Sequence, residues 1–384
     1  MVLVYIHKTK MKINIDIRSA ANPTSGISNY KIEAITHLLQ KYKDIKIRGC
    51  FCLNRHETKS DFTWLDKDNI KMSLFPDKLI FNDKYHIPVN YETLFGEDVS
   101  MNLFLTYFVP YLNFKRPLIS TIHDLIVLKS KVESEDFIAN HKKRLEYAIK
   151  KSHHILTVSE ASKIDICNYF NVPYDDVSIV HNGVNIDEFT FEECNQTAIT
   201  KLREKYNLPE EDFILYLGGY RKHKNIERLL KSYSVLSDAE KKNLKVVITN
   251  KNYELIKTAH ELHISNDVFF IGFVDDCDKF KLYTAAKMVY YASLYEGWGV
   301  PILEAQACKT PVITSNMSSM PEASGGYAML VNPYSVDDIV GAIRELDSGF
   351  GSFNDMISRG YRNAMKYTWD KSADELYEVI NLYR

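Results

Sequence analysis

The sequence predicts an α/β protein of two doubly wound units, and three observations carry that prediction. Its 384 residues exceed the roughly 250–300 that one hydrophobic core usually spans. Short apolar runs alternate with segments whose apolar residues recur at helical spacing, the pattern of a parallel sheet with crossover helices. The alternation runs twice, on either side of a polar, charged stretch at 186–200. The predicted units are therefore 1–190 and 200–365.

In the first unit, a strand is predicted at 12–20, KINIDIRSA, where Ile13, Ile15 and Ile17 alternate. Ala-Asn-Pro-Thr-Ser-Gly then makes a glycine-bearing turn. ISNYKIEAITHLLQKY follows, with Ile32, Ile35, Leu38 and Leu39 on one helical face. Further strands are predicted at 45–53, 117–123 and 154–158, and helices at 137–151 and 160–170. SIVHNGV closes the unit as strand and turn.

The second unit opens on FILYLGG, a strand and tight glycine turn, followed by the helix IERLLKSYSVL. LKVVITN, VFFIGFV, MVYYASL and PVITS read as strands, separated by the helices YELIKTAHELHI, FKLYTAA and PILEAQAC. SVDDIVGAIREL is a helix with Ser335 as its N-cap and acids in its first turn. In the last stretch, Trp369, Leu376, Val379 and Ile380 fall at helical spacing.

Composition excludes several classes. Hydrophobic residues at 45% with a net charge of −2 rule out a disordered chain and give no case for nucleic-acid binding. No apolar run reaches the ~18 residues of a membrane span. MVLVYIHKTK is too short for one and lacks a signal cleavage site. The expectation is a non-secreted, cytoplasmic protein. The six cysteines are scattered with no C-x-x-C pair, so they read as reduced thiols and not as a zinc or redox site.

The segment that carries chemistry is SLYEGWGVPILEAQAC, residues 293–308, in which Glu296 and Glu304 flank seven residues. Pro301 suits the first position of a helix, where its missing N–H is not needed. Glu296 is then expected at a strand end, Gly297–Gly299 in a tight loop and Glu304 in the first helical turn. A helix N-terminus offers free amides to a phosphate. The two carboxylates could take hydroxyls from a sugar and a ribose. Taken alone, the glutamates could equally be surface acids flanking a loop.

The EGWGVPILE segment resembles the E-x7-E motif of retaining GT-B glycosyltransferases of family 4. SGISNYKIEAITHLL, TIHDL, LTVSEASKIDICNYFNVPYDDVSIVHNGVNIDEF, FILYLGGYRKHKN, VFFIGFV and SSMPEASGGYAMLVNPYSVDDI resemble further parts of that family, over about residues 12–384. The resemblance implies two Rossmann-like domains facing across a cleft, with the helix at 366–384 packing back on the first. It implies that Glu296 contacts the donor sugar and Glu304 the nucleotide ribose. The amides of Trp298, Gly299 and Val300 would lie near sugar and diphosphate. Lys224 would stabilise the leaving group's charge. Gly26 would let backbone approach the phosphate, His123 would sit over the sugar, and Val274 would lie in the loop that reads the base. Many members carry Arg where this chain has Gly219; here the basic residues are Arg221, Lys222, His223 and Lys224. Arg221 is the first candidate to partner Lys224.

The implied reaction is front-face substitution with retention, without metal or cofactor, from GDP-mannose or a UDP-sugar to a glycan or lipid-linked glycan. Asp66/Asp68 and Asp276/Asp278 are D-x-D patterns of the kind that bind metal in another glycosyltransferase fold, and are read here as chance. Ser318–Glu322 is either a phosphate-facing loop or a helix cap. The basic segment 141–154 suits either a peripheral contact with anionic lipid on the inner face of a membrane or a solvated helix face. Residues 1–10 read as an extension. The rival functions are a sugar-nucleotide epimerase, which would leave E-x7-E unexplained, and a non-catalytic binding protein, which should have lost Glu296, Glu304, Lys224 or His123.

Overall fold

The computed structural model describes residues 10–21, 25–53, 58–85, 87–130, 133–185, 195–349 and 353–384. The extension before Lys10, the centre of the turn before Gly26 and most of the 186–200 stretch lie outside the described residues. The chain divides into two compact units. One holds Met1–Leu128, Glu133–Asn182 and Trp369–Arg384; the other holds Gly183–Thr368 and the short segment Lys129–Val132.

The first unit is built on β1 (Met11–Asp16), β2 (Ile45–Leu53), β3 (Ile70–Pro76), β4 (Met101–Phe104), β5 (Leu118–Thr121), β6 (His154–Thr157) and β7 (Val177–Ile179). They form one sheet in the order β3-β2-β1-β4-β5-β6-β7, and every pair is parallel. The second unit has β8 (Asp212–Tyr216), β9 (Leu244–Ile248), β10 (Val268–Phe270), β11 (Met288–Tyr291), β12 (Val312–Ser315) and β13 (Met329–Val331). Their order is β10-β9-β8-β11-β12-β13, again all parallel. Parallel strands covered by helices on both faces lose the in–out alternation. Phe213, Ile214, Leu215 and Tyr216 of β8 are accordingly all 0% exposed.

Strand order reverses between β1 and β4 in one sheet and between β8 and β11 in the other. Loops leaving the carboxyl ends of those strands diverge to opposite faces, which opens a crevice for ligand. This places the functional loops.

Several elements differ from expectation. β1 stops at Asp16, not at residue 20. Asp16 turns its carboxylate to Arg18 and Lys31, and the backbone at Ser19 enters the left-handed region (φ +64°), so the ladder ends. β3, β4 and β13 were not signalled. β4 is four residues with a buried polar Asn102, which bonds Asn14 and Glu92 and breaks the apolar pattern. The basic segment 141–154 is not one helix: the helix Glu135–Lys151 ends before His154 opens β6.

The last helix, Trp369–Asn381, buries Trp369, Leu376, Val379 and Ile380. It docks on the helix Gly26–Lys41 through His37–Asp370 at 2.8 Å, Lys41–Asp374 at 2.7 Å and stacked Tyr42 and Tyr377 rings 3.6 Å apart. Among the described residues, no helix is long and apolar enough to cross a membrane.

Candidate active site

In the second unit, Lys224 follows β8 and Glu296 follows β11, the two strands that flank the switch point. Lys224 ends the short 3₁₀ turn Lys222–Lys224. Asn225, left-handed at φ +60°, spends its side-chain amide on the Ala292 carbonyl (3.0 Å) and the Pro333 carbonyl (2.7 Å). The Leu294 N–H donates to the His223 carbonyl at 2.7 Å. These bonds lock the two loops together and bring the Lys224 ammonium to both oxygens of Glu296, at 2.7 and 2.9 Å. Sequence reading did not pair these two residues directly.

Glu296 is not at a strand end. β11 finishes at Tyr291, and Glu296 lies in the loop beyond it, 9% exposed. Ser318 and Ser319 hold that loop by donating to the Glu296 carbonyl at 2.7 and 3.0 Å, and Ser319 also donates to the Trp298 carbonyl. The serines thus tie one loop to another, and Ser319 caps no helix with its side chain. Trp298 is buried, edge-on to Tyr367 with centroids 5.0 Å apart.

Gly299 caps the helix Val300–Ala307 with φ +141°, a conformation that favours glycine. A Cβ there would also lie 3.0 Å from Ile302 Cδ1 and 3.3 Å from Ala323 Cβ. The helix therefore begins at Val300, one residue earlier than expected. Pro301 is its second residue, and Glu304 is its fifth, past the first turn. Pro301 has no N–H and the Ile302 N–H donates to the Gly299 carbonyl at 2.9 Å, so of the first three residues of this helix only Val300 has an amide not spent on the helix itself.

Two tyrosines that the sequence reading missed hold the two glutamates. Tyr283, fully buried, donates to Glu304 Oε2 at 2.8 Å. Tyr291, 4% exposed, accepts from Lys224 at 2.8 Å and donates to Glu296. Burial, then the adjacent carboxylate, pushes both phenols well above their usual range, so both remain protonated donors. The available signal was chemical: a tyrosine buried in a core needs a partner for its hydroxyl. Nothing in the spacing names that partner.

The remaining predicted residues are placed as follows. Arg221 is exposed and makes no side-chain hydrogen bond or ion pair among the described residues. The Gly219 carbonyl accepts from Tyr216 at 2.9 Å; the positive-φ glycine of this turn is its neighbour Gly218 (φ +150°). Val274 is 5% exposed, beyond β10. Asp278 is paired with Lys205 at 2.6 Å and Lys281 at 3.3 Å. The Asp66 side chain accepts from the Asp68 N–H at 3.1 Å.

In the first unit, Gly26 is the first residue of its helix, with Ser25 as the cap. Among the described residues, and apart from its chain neighbours and its own helix backbone, no atom lies within 4 Å of where its Cβ would be, so these residues do not require glycine there. His123 follows β5. Its Nε2 lies 3.3 Å from the Leu105 carbonyl, and its ring meets Tyr30 edge-on at 4.9 Å. Burial pushes its pKa down to about 4, so the imidazole is neutral at pH 7. Beside it in the fold is a buried network at the end of β1. Asp16 takes Arg18 at 2.6 Å and Lys31 at 3.1 Å, and Lys31 also donates to the Arg18 carbonyl at 2.7 Å.

Residues 198–363 match the family model described as glycosyl transferases group 1, and residues 100–188 match glycosyltransferase family 4. The chain is 26% identical over 274 residues to the O-antigen chain mannosyltransferase B of Escherichia coli, covering 69% of this chain and 70% of that protein. It is 27% identical over 279 residues to the serotype-specific mannosyltransferase WbdA of Escherichia coli, covering 70% of this chain; it spans 34% of WbdA's length. Among solved structures, Anabaena HepE in complex with UDP matches with a TM-score of 0.71 at 15% identity, over 97% of this chain and 99% of that one. That likeness is one of fold.

Proposed function

The chain belongs to the group 1 glycosyl transferases of glycosyltransferase family 4, and from that premise we propose that it is a retaining hexosyltransferase. It takes a sugar, mannose in our reading, from a nucleotide-sugar and passes it to a glycan or lipid-linked glycan. The observation that carries this is the Lys224–Glu296 pair beside the N-terminus of the helix Val300–Ala307, with Glu304 held by Tyr283. When the bond to the anomeric carbon breaks, negative charge collects on the departing diphosphate. A fixed cation and helix amides stabilise that charge best where water is scarce.

Each residue then has a task. Lys224 faces the diphosphate, assisted by the exposed Arg221. Glu296 orients the sugar hydroxyls and Glu304 the ribose. The amides of Trp298, Gly299 and Val300 line the phosphates, with Gly219 in the turn after β8 and Val274 in the base-side loop. In the first unit we assign Gly26 a close backbone approach to ligand and the neutral His123 a hydrogen-bonding role. The departing phosphate takes the acceptor's proton, so the chain supplies orientation and electrostatics with no metal. The names of the two curated relatives support mannose, and the UDP in HepE supports a nucleotide donor. The exposed Lys142 and Lys150 on the helix Glu135–Lys151 suit a peripheral contact with anionic headgroups from the cytoplasmic side.

The test is calorimetric titration with GDP-, UDP- and ADP-sugars in the presence of a chelator, on the wild type and Glu304→Ala. One sugar nucleotide should bind in the micromolar range and the variant should lose it. Equal binding by the variant, or no binding at all, overturns the assignment.

A further inference from the structure

A pocket of about 590 Å³ lies wholly within the first unit, a size typical of small-molecule sites. Its lining comes from the segment after β3, from Tyr111 after β4 and from Asn140, Lys143 and Arg144 in the middle of the helix Glu135–Lys151. The segments after β3 and β4 leave the carboxyl end of the sheet, where open α/β sheets take their ligands.

Four cations line it, Lys78, Lys84, Lys143 and Arg144, against Asp77 and Asp83. Asp77 is already engaged by Arg18 at 3.3 Å. Lys78, Lys84 and Lys143 make no ion pair or side-chain hydrogen bond among the described residues. Like charges gathered around one concavity repel each other unless an anion joins them.

The wall behind the exposed Lys78, Lys84 and Lys143 is fixed. The Arg18 guanidinium sits 3.4 Å from the centre of the Phe81 ring and donates to the Phe108 carbonyl at 2.9 Å. It is anchored through the buried Asp16 to the end of β1. Arg144 donates to the Phe81 carbonyl at 3.0 Å. Phe81 and Tyr111 supply apolar walls, and Asn82 and Asn140 supply amides of the kind that bond sugar hydroxyls.

We propose that this pocket binds a phosphate-bearing sugar of the acceptor, with Lys78, Lys84 and Lys143 on the phosphate and the aromatic and amide walls on the ring. The acceptor role rests on the transferase reading above; the binding chemistry does not.

The test uses the full chain at low ionic strength with mannose 6-phosphate, mannose, inorganic phosphate and phosphatidylglycerol vesicles as probes. The variant is Lys78→Gln/Lys84→Gln/Lys143→Gln, which leaves Arg18 and Arg144 intact to keep the wall in place. Mannose 6-phosphate should bind more tightly than either mannose or phosphate. The triple variant should weaken it at least tenfold and leave sugar-nucleotide affinity unchanged. Equal binding of mannose and mannose 6-phosphate, equal binding of phosphate and mannose 6-phosphate, or an unaffected triple variant overturns the proposal. Loss of vesicle binding in the variant without any mannose 6-phosphate binding also overturns it, by assigning the lysines to a membrane surface. If mannose 6-phosphate binds through the lysines while no sugar nucleotide binds anywhere, the pocket stands and the transferase reading falls.

Discussion

Lysines at the carboxyl ends of the two sheets live in different surroundings. Lys31 of the first unit is enclosed, 2% exposed, with the equally buried Asp16 and the Arg18 carbonyl as partners. Lys224 of the second unit also holds a carboxylate, but its side chain is 20% exposed and opens on the switch-point crevice. Both pairs lie at ordinary ion-pair distance, 3.1 Å for Lys31–Asp16 and 2.7 Å for Lys224–Glu296. Burial separates them. An ion pair sealed from water is committed to the fold, because breaking it strands a charge in low dielectric. A pair at the edge of a crevice can exchange one anion for another at modest cost, and that is what a diphosphate would ask of Lys224.

The sharpest way to break this comparison is Asp16→Ala. It leaves Arg18 and Lys31 charged and buried, and should cost about 3–5 kcal/mol of stability in urea unfolding. Sugar-nucleotide binding in the second unit should be unaltered. A variant as stable as the wild type would show that the enclosed pair is not structural.

Lys224→Ala should instead lower kcat by about 10²–10³-fold, the usual effect of removing one fixed charge-stabilising group. The readout is initial rates of sugar transfer at saturating donor. A change confined to KM would mean that Lys224 holds the ground state only.

His123 sharpens the first-unit side. Burial holds its folded pKa at about 4, below the ordinary 6.5, so the unfolded chain binds the proton more readily. Its contribution to stability is therefore present above pH 6.5 and is lost as pH falls from there through 4. The ring is partly exposed, which sets a ceiling of about 3 kcal/mol. Urea titrations of His123→Asn should show a shallower loss between pH 7 and pH 4.5 than the wild type. Equal slopes would mean the imidazole is solvated.

The smallest effects fall on the tyrosines. Tyr283→Phe removes one hydrogen bond and Tyr291→Phe two, each worth about 1 kcal/mol or roughly fivefold. Tyr283→Phe should raise KM for the donor, since Glu304 loses its brace. Tyr291→Phe should lower kcat, since Lys224 and Glu296 lose theirs. If both variants changed only thermal stability, the tyrosines would be core residues and nothing more.

What could be read in advance followed a physical divide. Long apolar periodicities such as those of 45–53, 253–264 and 335–346 reflect local burial patterns, and they were legible. β4 and β13 were not, because three or four residues carry too little period and Asn102 interrupts one of them. The helix start at Val300 was misread by one residue, because Pro301 tolerates either of the first two positions and the deciding feature is the backbone of Gly299.

By itself the sequence determined the α/β class and the double alternation, and its family resemblance named the residues of the proposed site: Glu296, Glu304, Lys224 and the glycines around them. These are properties of neighbouring residues, so they survive without a fold. Only the tertiary structure decided which partners these residues keep. Lys224 meets Glu296 across 72 positions, Tyr283 meets Glu304 across 21, and Arg18 reaches Asp77 across 59. Such pairings are set by strand order and loop locking, and a reversal of strand order leaves no periodic mark on the chain that encodes it.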